Sequence, residues 1–481
     1  MFIFYDFETS SKELLGQILS YAFIQTDENY NEIQRLTGLV KLNRTQLPDV
    51  GAILTNKLNI DQLNKEGDTE YNTAHKIYSF LEQAVTQNKQ CYLCGFNSNS
   101  FDLNFLRNLL IRHGINPYFK GQLKNKDILH YAQDIAITQP DNFPWHSLIN
   151  NDDPDSPFYS FKLEKLATTF NCTNNAQSHD AIEDVELSIS LIKALEKTFK
   201  SSFKHFNPIH IQHNPLSQET LSILAQPTRA IPEKGKTPIT HTHWLYLNKV
   251  GKQHILLNLD QAMEHKERLS EQETLLNCLR SMNENKHYFK AAPCSDHPID
   301  PALIDTLLQN PYVQSIKKSP KTYYDMIKKD WDIEYQIHEM GFDLIPKLKT
   351  EIDKLKHNPE SYTAIIKDFL NGRKNTPNKA IQQTFNYCMQ LFNRYYLNQH
   401  PNPDKRHMTR YIEPRYITGE LLRDWNNFQP PSLQYETLLD TIKQAKAPNE
   451  SAHLLPLKAL YETFCKTHNI PLNIPSTTPP K

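Results

Sequence analysis

The chain begins MFIFYDFET, which sets Asp6 and Glu8 two residues apart at the end of an apolar run. In a strand, residues i and i+2 face the same side, so the two carboxylates stand together. Neighbouring like charges oppose each other's ionisation unless a cation lies between them. A solvated strand end is one reading of the pair; a divalent metal ion is the other. Asp-x-Glu alone is a weak signal, since 54 acidic residues in 481 would produce it by chance.

Two further stretches add weight. GFNSNSFDLNF puts Asp102 at the start of a helix just after a buried strand, where an acid also serves simply to favour the first turn. SHDAIEDVELS sets His179 and Asp184 five apart, with Asp180 and Glu183 between them. Five positions rotate a regular helix by about 140°, so His179 belongs at the mouth of the helix or in the loop before it, with Asp184 inside. Hard divalent ions prefer carboxylate oxygens and keep several waters, which leaves room for substrate phosphates. Asp6, Glu8 and Asp184 are candidate ligands of one ion, with Asp6 bridging to a second that Asp102 reaches through water. Two ions about 4 Å apart stabilise both the attacking and the leaving oxygen of a phosphoryl displacement. His179, with an ordinary pKa near neutrality, is a candidate to deprotonate the attacking water.

Positioning these residues requires an α/β unit over roughly the first 200 residues. FIFYDFE reads as a strand, and residues 17–27 and 32–42 as its antiparallel companions. Residues 69–87 and 101–114 have helical spacing on either side of a short buried strand, CYLCGF (91–96). KDILHYAQDIA, residues 161–172 and residues 179–199 read as further helices, which implies a mixed sheet covered by helices. Residues 201–218 suit a linker, residues 219–345 suggest a small β-rich part with helical insertions, and the text from about 346 onward is helical.

Composition narrows the class. The chain length predicts two or three domains, and the mean hydropathy of −0.62 suits a soluble protein. No run of about 18 apolar residues appears, and no signal peptide is read at the N-terminus, so a cytoplasmic location without membrane contact is expected. Seven scattered cysteines argue against a disulfide framework; Cys91 and Cys94 lack a second pair to complete a zinc site and read as structural. His241 and His243 read as surface or packing residues. Twelve glycines, none at GxG spacing, exclude a glycine-rich phosphate loop. Residues 346–481 carry 19 Lys+Arg against 12 Asp+Glu, so a basic back follows an acidic front. That suits a metal centre followed by a part that holds a polyanion, although two solvated surfaces would look the same.

The order Asp-x-Glu, then Asp, then His-x4-Asp resembles the DEDDh branch of the DEDD 3′–5′ exonuclease superfamily. YDFETS, GFNSNSFD, NDDPDSPFYSFKLEKLA and SHDAIEDV are similar to segments of the exonuclease I family of bacterial exodeoxyribonucleases; LFNRYYLNQHP and DIEYQIHEMGF resemble its C-terminal region. The resemblance implies a ribonuclease H-like nuclease domain (1–200), an SH3-like middle domain (201–345) and a helical C-terminal domain (346–481). It implies Asp6, Glu8, Asp102 and Asp184 as metal carboxylates for two Mg²⁺ ions, with Mn²⁺ as the alternative, and His179 as general base. Glu8 and Lys162 are the implied substrate contacts. Lys162 stands where the family commonly carries arginine, which keeps the charge but loses the bidentate fork. The implied activity is 3′–5′ degradation of single-stranded DNA to 5′-mononucleotides in DNA repair and recombination, by a monomer partnered by the single-stranded-DNA-binding protein. An exoribonuclease, a proofreading exonuclease and a catalytically inert single-strand-binding protein are the rivals. The roughly 280 residues beyond the first unit weigh against a compact proofreading subunit, and the full set of acids weighs against an inert module.

Overall fold

The computed structural model describes residues 1–88, 90–150, 157–172, 180–206, 221–233, 236–250, 253–283, 290–291, 299–326, 332–335, 337, 340–422, 428–445, 447 and 451–472. Its first sheet has five strands in the order β3-β2-β1-β4-β5. These are β1 Phe2–Thr9, β2 Ile18–Thr26, β3 Glu32–Leu39, β4 Cys91–Gly95 and β5 Leu123–Asp127. β1 pairs antiparallel with β2 and parallel with β4, and β4 pairs parallel with β5, so the sheet is mixed. Strand β1 is apolar almost throughout because both its faces are covered. Phe2 and Phe4 pack on one side with α7 (Ala181–Phe199) and α5 (Ile128–Thr138). Ile3, Tyr5 and Phe7 pack on the other with α3 (Glu70–Gln87) and α4 (Asp102–Arg112). The short helices α1 (Val50–Asn56) and α2 (Ile60–Glu66), α6 (Leu163–Thr169) and a small hairpin of β6 (Ile149–Asn150) and β7 (Phe158–Tyr159) complete this part.

The fifth strand was not expected. LKNKD carries neither apolar alternation nor an apolar run, and it can be polar because it lies at the edge of the sheet with its first three residues partly exposed. The helices α1 and α2 are seven residues each, too short to present a periodic signal. Cys91 and Cys94 are buried and free, in keeping with a structural role.

A second, antiparallel sheet follows in the order β11-β10-β9-β8-β12, made of β8 (Leu221–Pro227), β9 (Ile239–Val250), β10 (Gln253–Asn258), β11 (Leu279–Asn283) and β12 (Lys290–Ala291). The short helices α8 (Leu259–Glu264), α9 (Gln272–Cys278), α10 (Pro301–Gln309), α11 (Pro311–Lys318) and α12 (Lys321–Met326) pack on it, so this region is β-rich with helical insertions as read from the sequence. His243 is buried there with its ring nitrogen Nδ1 2.7 Å from Asp260, a packing role. From α13 (Ile345–His357) onward the described regular structure is helical: α14 (Tyr362–Lys374), α15 (Lys379–Gln399), α16 (Lys405–Ile412), α17 (Pro431–Gln444) and α18 (Leu454–His468), with a one-turn π-helical segment after α16. These helices share one apolar core with α1 and α2.

A buried charge cluster ties these parts together. Arg112 on α4 reaches Glu70 of α3 at 2.6 Å and Glu334 at 2.5 Å. Arg394 on α15 pairs with the second oxygen of Glu334. All four side chains are almost wholly buried. Among the described residues no helix is long and apolar enough to cross a membrane.

Candidate active site

Because Phe2 and Phe4 face α7, the strand alternation puts Asp6 and Glu8 on that same side at the end of β1. A register shift between Glu8 and Thr9 ends the regular pairing with β2 there, a local irregularity of the kind that re-aims side chains beside sites. Helix α7 buries Ala181, Asp184, Val185, Ser188, Ile189 and Ile192, a stripe with the 3–4 spacing of one face. Asp184 lies in its first turn and on that buried face, so it meets the strand end. The helix starts where it does because the Asp180 carboxylate accepts a hydrogen bond from the Ile182 N–H at 3.1 Å.

One carboxylate oxygen from each of Asp6, Glu8 and Asp184 lies within 4.8 Å of the others. Asp184 is buried, and Asp6 and Glu8 are half-buried. Asp102, the first residue of α4, stands outside this trio and is also buried. Its carboxylate accepts hydrogen bonds from the N–H groups of Asp102 itself and of Phe7.

The electrostatics are strongly unfavourable for four anions. Burial first, then Asp102, Asp184, Glu8 and Asp180, hold the Asp6 carboxyl well above the usual range. Burial, then Asp184, Asp102 and Asp180, push Glu8 up to about 8. Asp102 also rises to about 8, chiefly through burial; its backbone hydrogen bonds pull it down, and Asp127 and Asp184 push it up. Every leading influence on Asp6 and Glu8 raises the pKa, so these neighbouring acids oppose one another's ionisation. A hard divalent cation bound by carboxylate oxygens fits this donor set and would reverse each of those shifts.

The remaining sequence candidates are placed differently. Lys162 is the residue before α6, and its N–H lies 3.5 Å from the Ser160 hydroxyl. Among the described residues no ion pair joins its ammonium to the acidic trio. His179 lies outside the described residues; its neighbour Asp180 is the cap of α7. Sequence reasoning gave no role to Asp180, which lies close enough to raise both Asp6 and Glu8. The signal was there, because an Asp directly before an apolar helical stripe marks a cap.

No protein-family profile matches the chain. It is 30% identical over 210 residues to the exodeoxyribonuclease I of Buchnera aphidicola subsp. Acyrthosiphon pisum (strain APS), an alignment covering 43% of this chain and 48% of the relative. The chain thus spans about half the length of the curated relative it matches. Its fold is similar along 96% of its length to 99% of the exonuclease I of Methylocaldum szegediense, with a TM-score of 0.64 at 16% identity. It is likewise similar to the zinc-bound complex of E. coli exonuclease I with single-stranded DNA, with a TM-score of 0.57 at 18% identity over 96% of this chain and 99% of that one. The likeness to exonuclease I read from the motifs is the likeness these comparisons return.

Proposed function

We propose that this protein is a metal-dependent 3′–5′ exodeoxyribonuclease that degrades single-stranded DNA to 5′-mononucleotides. The observation that carries the reading is the convergence of Asp6, Glu8 and Asp184 from a strand end and a helix start, with oxygens within 4.8 Å of one another. The likeness to an exonuclease I bound to zinc and single-stranded DNA supports both the metal and the substrate class.

In this reading Asp6, Glu8 and Asp184 would hold one divalent ion, and Asp6 and Asp102 would serve a second, Asp102 through water. Bound Mg²⁺, or Mn²⁺, would polarise the phosphate and offset charge on the attacking and leaving oxygens. The protein's own part is to keep Asp6, Glu8 and Asp184 convergent on rigid elements and to fix Asp184 through the Asp180 cap. His179, one residue before that cap, accepts the proton of the attacking water. Glu8 and Lys162 contact the strand being cut, Lys162 as a point charge toward phosphate. The division into a nuclease part (1–200), a middle part (201–345) and a helical part (346–481), a monomeric cytoplasmic enzyme, a role in DNA repair and docking of the single-stranded-DNA-binding protein belong to the same proposal.

The test is a single-stranded DNA labelled at its 5′ end and incubated with the protein and Mg²⁺, beside duplex DNA and RNA of the same sequence. Shortening of the single-stranded DNA alone, abolished by EDTA and by Asp6→Ala, is the expected result. Equal degradation of the RNA would move the substrate to RNA while keeping the metal chemistry. Binding with no cleavage of any strand would overturn the enzymatic reading.

A further inference from the structure

We infer that Asp127 is a positioning residue for the reaction: it holds the loop that delivers Asp102 to the metal site. The inference rests on the reading of Asp6, Glu8, Asp102 and Asp184 as one site. Helix α4 begins at Asp102, and the residue before it, Phe101, has no side-chain acceptor with which to cap the helix. The start of α4, and with it the place of Asp102, is therefore set by the loop of residues 96–101. That loop is built under constraint. Asn97 takes a left-handed φ of 55°, which asparagine tolerates better than most residues. A Cβ on Gly95 would lie 2.6 Å from the Ser98 Cβ and 3.0 Å from the Tyr5 carbonyl oxygen, so the loop folds back tightly on β1 and β4.

Asp127 supplies the fixed point. It ends β5, pairs in register with Gly95 of β4 and is fully buried. Its Oδ1 accepts the N–H of Asn97 at 3.0 Å and that of Leu129 at 3.0 Å, and its Oδ2 accepts the N–H of Asn99 at 3.0 Å. Between those two loop amides, the Ser98 carbonyl accepts the N–H groups of Phe101 at 3.2 Å and Leu103 at 2.9 Å. The chain of bonds thus runs from Asp127 through residues 97 and 99 to the first turn of α4. A capping role for α5 would need only the bond to Leu129. The other two bonds cross to the loop and serve no purpose for α5. The three N–H groups also explain the carboxylate: an amide has one oxygen and would turn an NH₂ toward a donor.

The test compares Asp127→Asn and Asp127→Ala with the unchanged chain and with Asp102→Ala. Partners that orient metal ligands typically cost about 10- to 100-fold in affinity or rate when lost. The expected result for Asp127→Asn is a loss of that size in kcat on single-stranded DNA, with KM for DNA changed by less than about twofold. The Mg²⁺ concentration for half-maximal rate rises, and calorimetry shows weaker Mn²⁺ binding; Asp127→Ala exceeds Asp127→Asn in both. Wild-type kcat, Mg²⁺ dependence and Mn²⁺ affinity in Asp127→Asn would overturn the inference. A loss of rate that follows a loss of folded protein, with Mn²⁺ affinity intact in what remains folded, would overturn it too. If the unchanged chain binds Mn²⁺ but cleaves no strand, the functional reading fails and the inference stands or falls on Mn²⁺ affinity. A chain that binds no Mn²⁺ overturns both.

Discussion

Arg394→Met is the sharpest probe of what joins the helical part to the sheet that carries the site. Arg394 pairs with Glu334, reaches the Leu15 carbonyl at 3.4 Å and lies 3.9 Å from Glu70. Glu334 and Glu70 also share Arg112. The cluster holds two guanidinium groups against two carboxylates, and all are buried. Methionine fills the space of the arginine stem with little strain, so the substitution reads the lost charge rather than a cavity. It leaves two buried carboxylates with one guanidinium, and breaking a buried pair from one side costs about 3–5 kcal/mol. Native-state hydrogen exchange of the α15 amides, reported as opening free energy, measures it. Burial limits screening, so the loss should be nearly the same in 0.1 and 1 M salt, taken as rough bounds. The pair Glu334→Gln/Arg394→Met restores neutrality and should recover at least about 1 kcal/mol of the loss, a coupling that a double-mutant cycle resolves. A cost below about 1 kcal/mol, which is the worth of an exposed ion pair, or a double variant no better than the single one, would refute the reasoning.

Two further predictions concern the acids. Asp184→Asn should lower the rate of single-stranded DNA degradation by more than about 100-fold, beyond the loss expected for an outer partner, whereas Asp180→Asn, which keeps an oxygen to cap α7, should lose less than about tenfold; equal losses in a steady-state assay would mean that Asp180 is itself a ligand. Glu8 and Asp102 titrate near 8 in the metal-free fold and near 4 in an unfolded chain, to about half a unit. Between those values the folded chain holds more protons than the unfolded one, so metal-free stability is full below about pH 4 as far as these groups go and is lost as pH rises toward 8. Calorimetric Tm of the EDTA-treated protein should fall across that window, and Mg²⁺ should raise Tm more at pH 8 than at pH 6; a Tm gain from Mg²⁺ independent of pH would refute it.

The parts of the site that were legible in the sequence are those where an element's pattern survives the presence of acids. Strand β1 reads as a strand because both faces are apolar up to Tyr5, and Asp6 and Glu8 then inherit their side from the alternation. Helix α7 reads as a helix from Ile182, Val185, Ile189 and Ile192, which also fixes the face that Asp184 shares. Asp127 was not legible because LKNKD is a polar edge strand. Its two loop contacts come from residues 97 and 99, some 30 positions away in the chain, and nothing local announces them. The cluster of Glu70, Arg112, Glu334 and Arg394 was hidden for a different reason. Each of these residues is of a type normally exposed, and each is buried only because its partners arrive from distant parts of the chain.

That cluster bears on the site through the loop that leaves it. Directly after Glu8 and Thr9, residues 10–17 close on themselves through Ser10 N–H to Gln17 O and Gln17 N–H to Ser10 Oγ, both at 2.8 Å. From one side Asp49 N–H donates to Ser10 O at 2.8 Å and the Asn56 amide to Thr9 O at 3.2 Å. From the other, Arg112 and Arg394 donate to the Leu14 and Leu15 carbonyls, each at 3.4 Å, and the Tyr335 hydroxyl donates to Glu13. The end of the strand that carries two of the site's carboxylates is thus held by groups from α4, from residue 335 and from α15. The helical part thus holds, through Arg394 and the Leu15 carbonyl, the loop that leaves the strand end carrying Asp6 and Glu8.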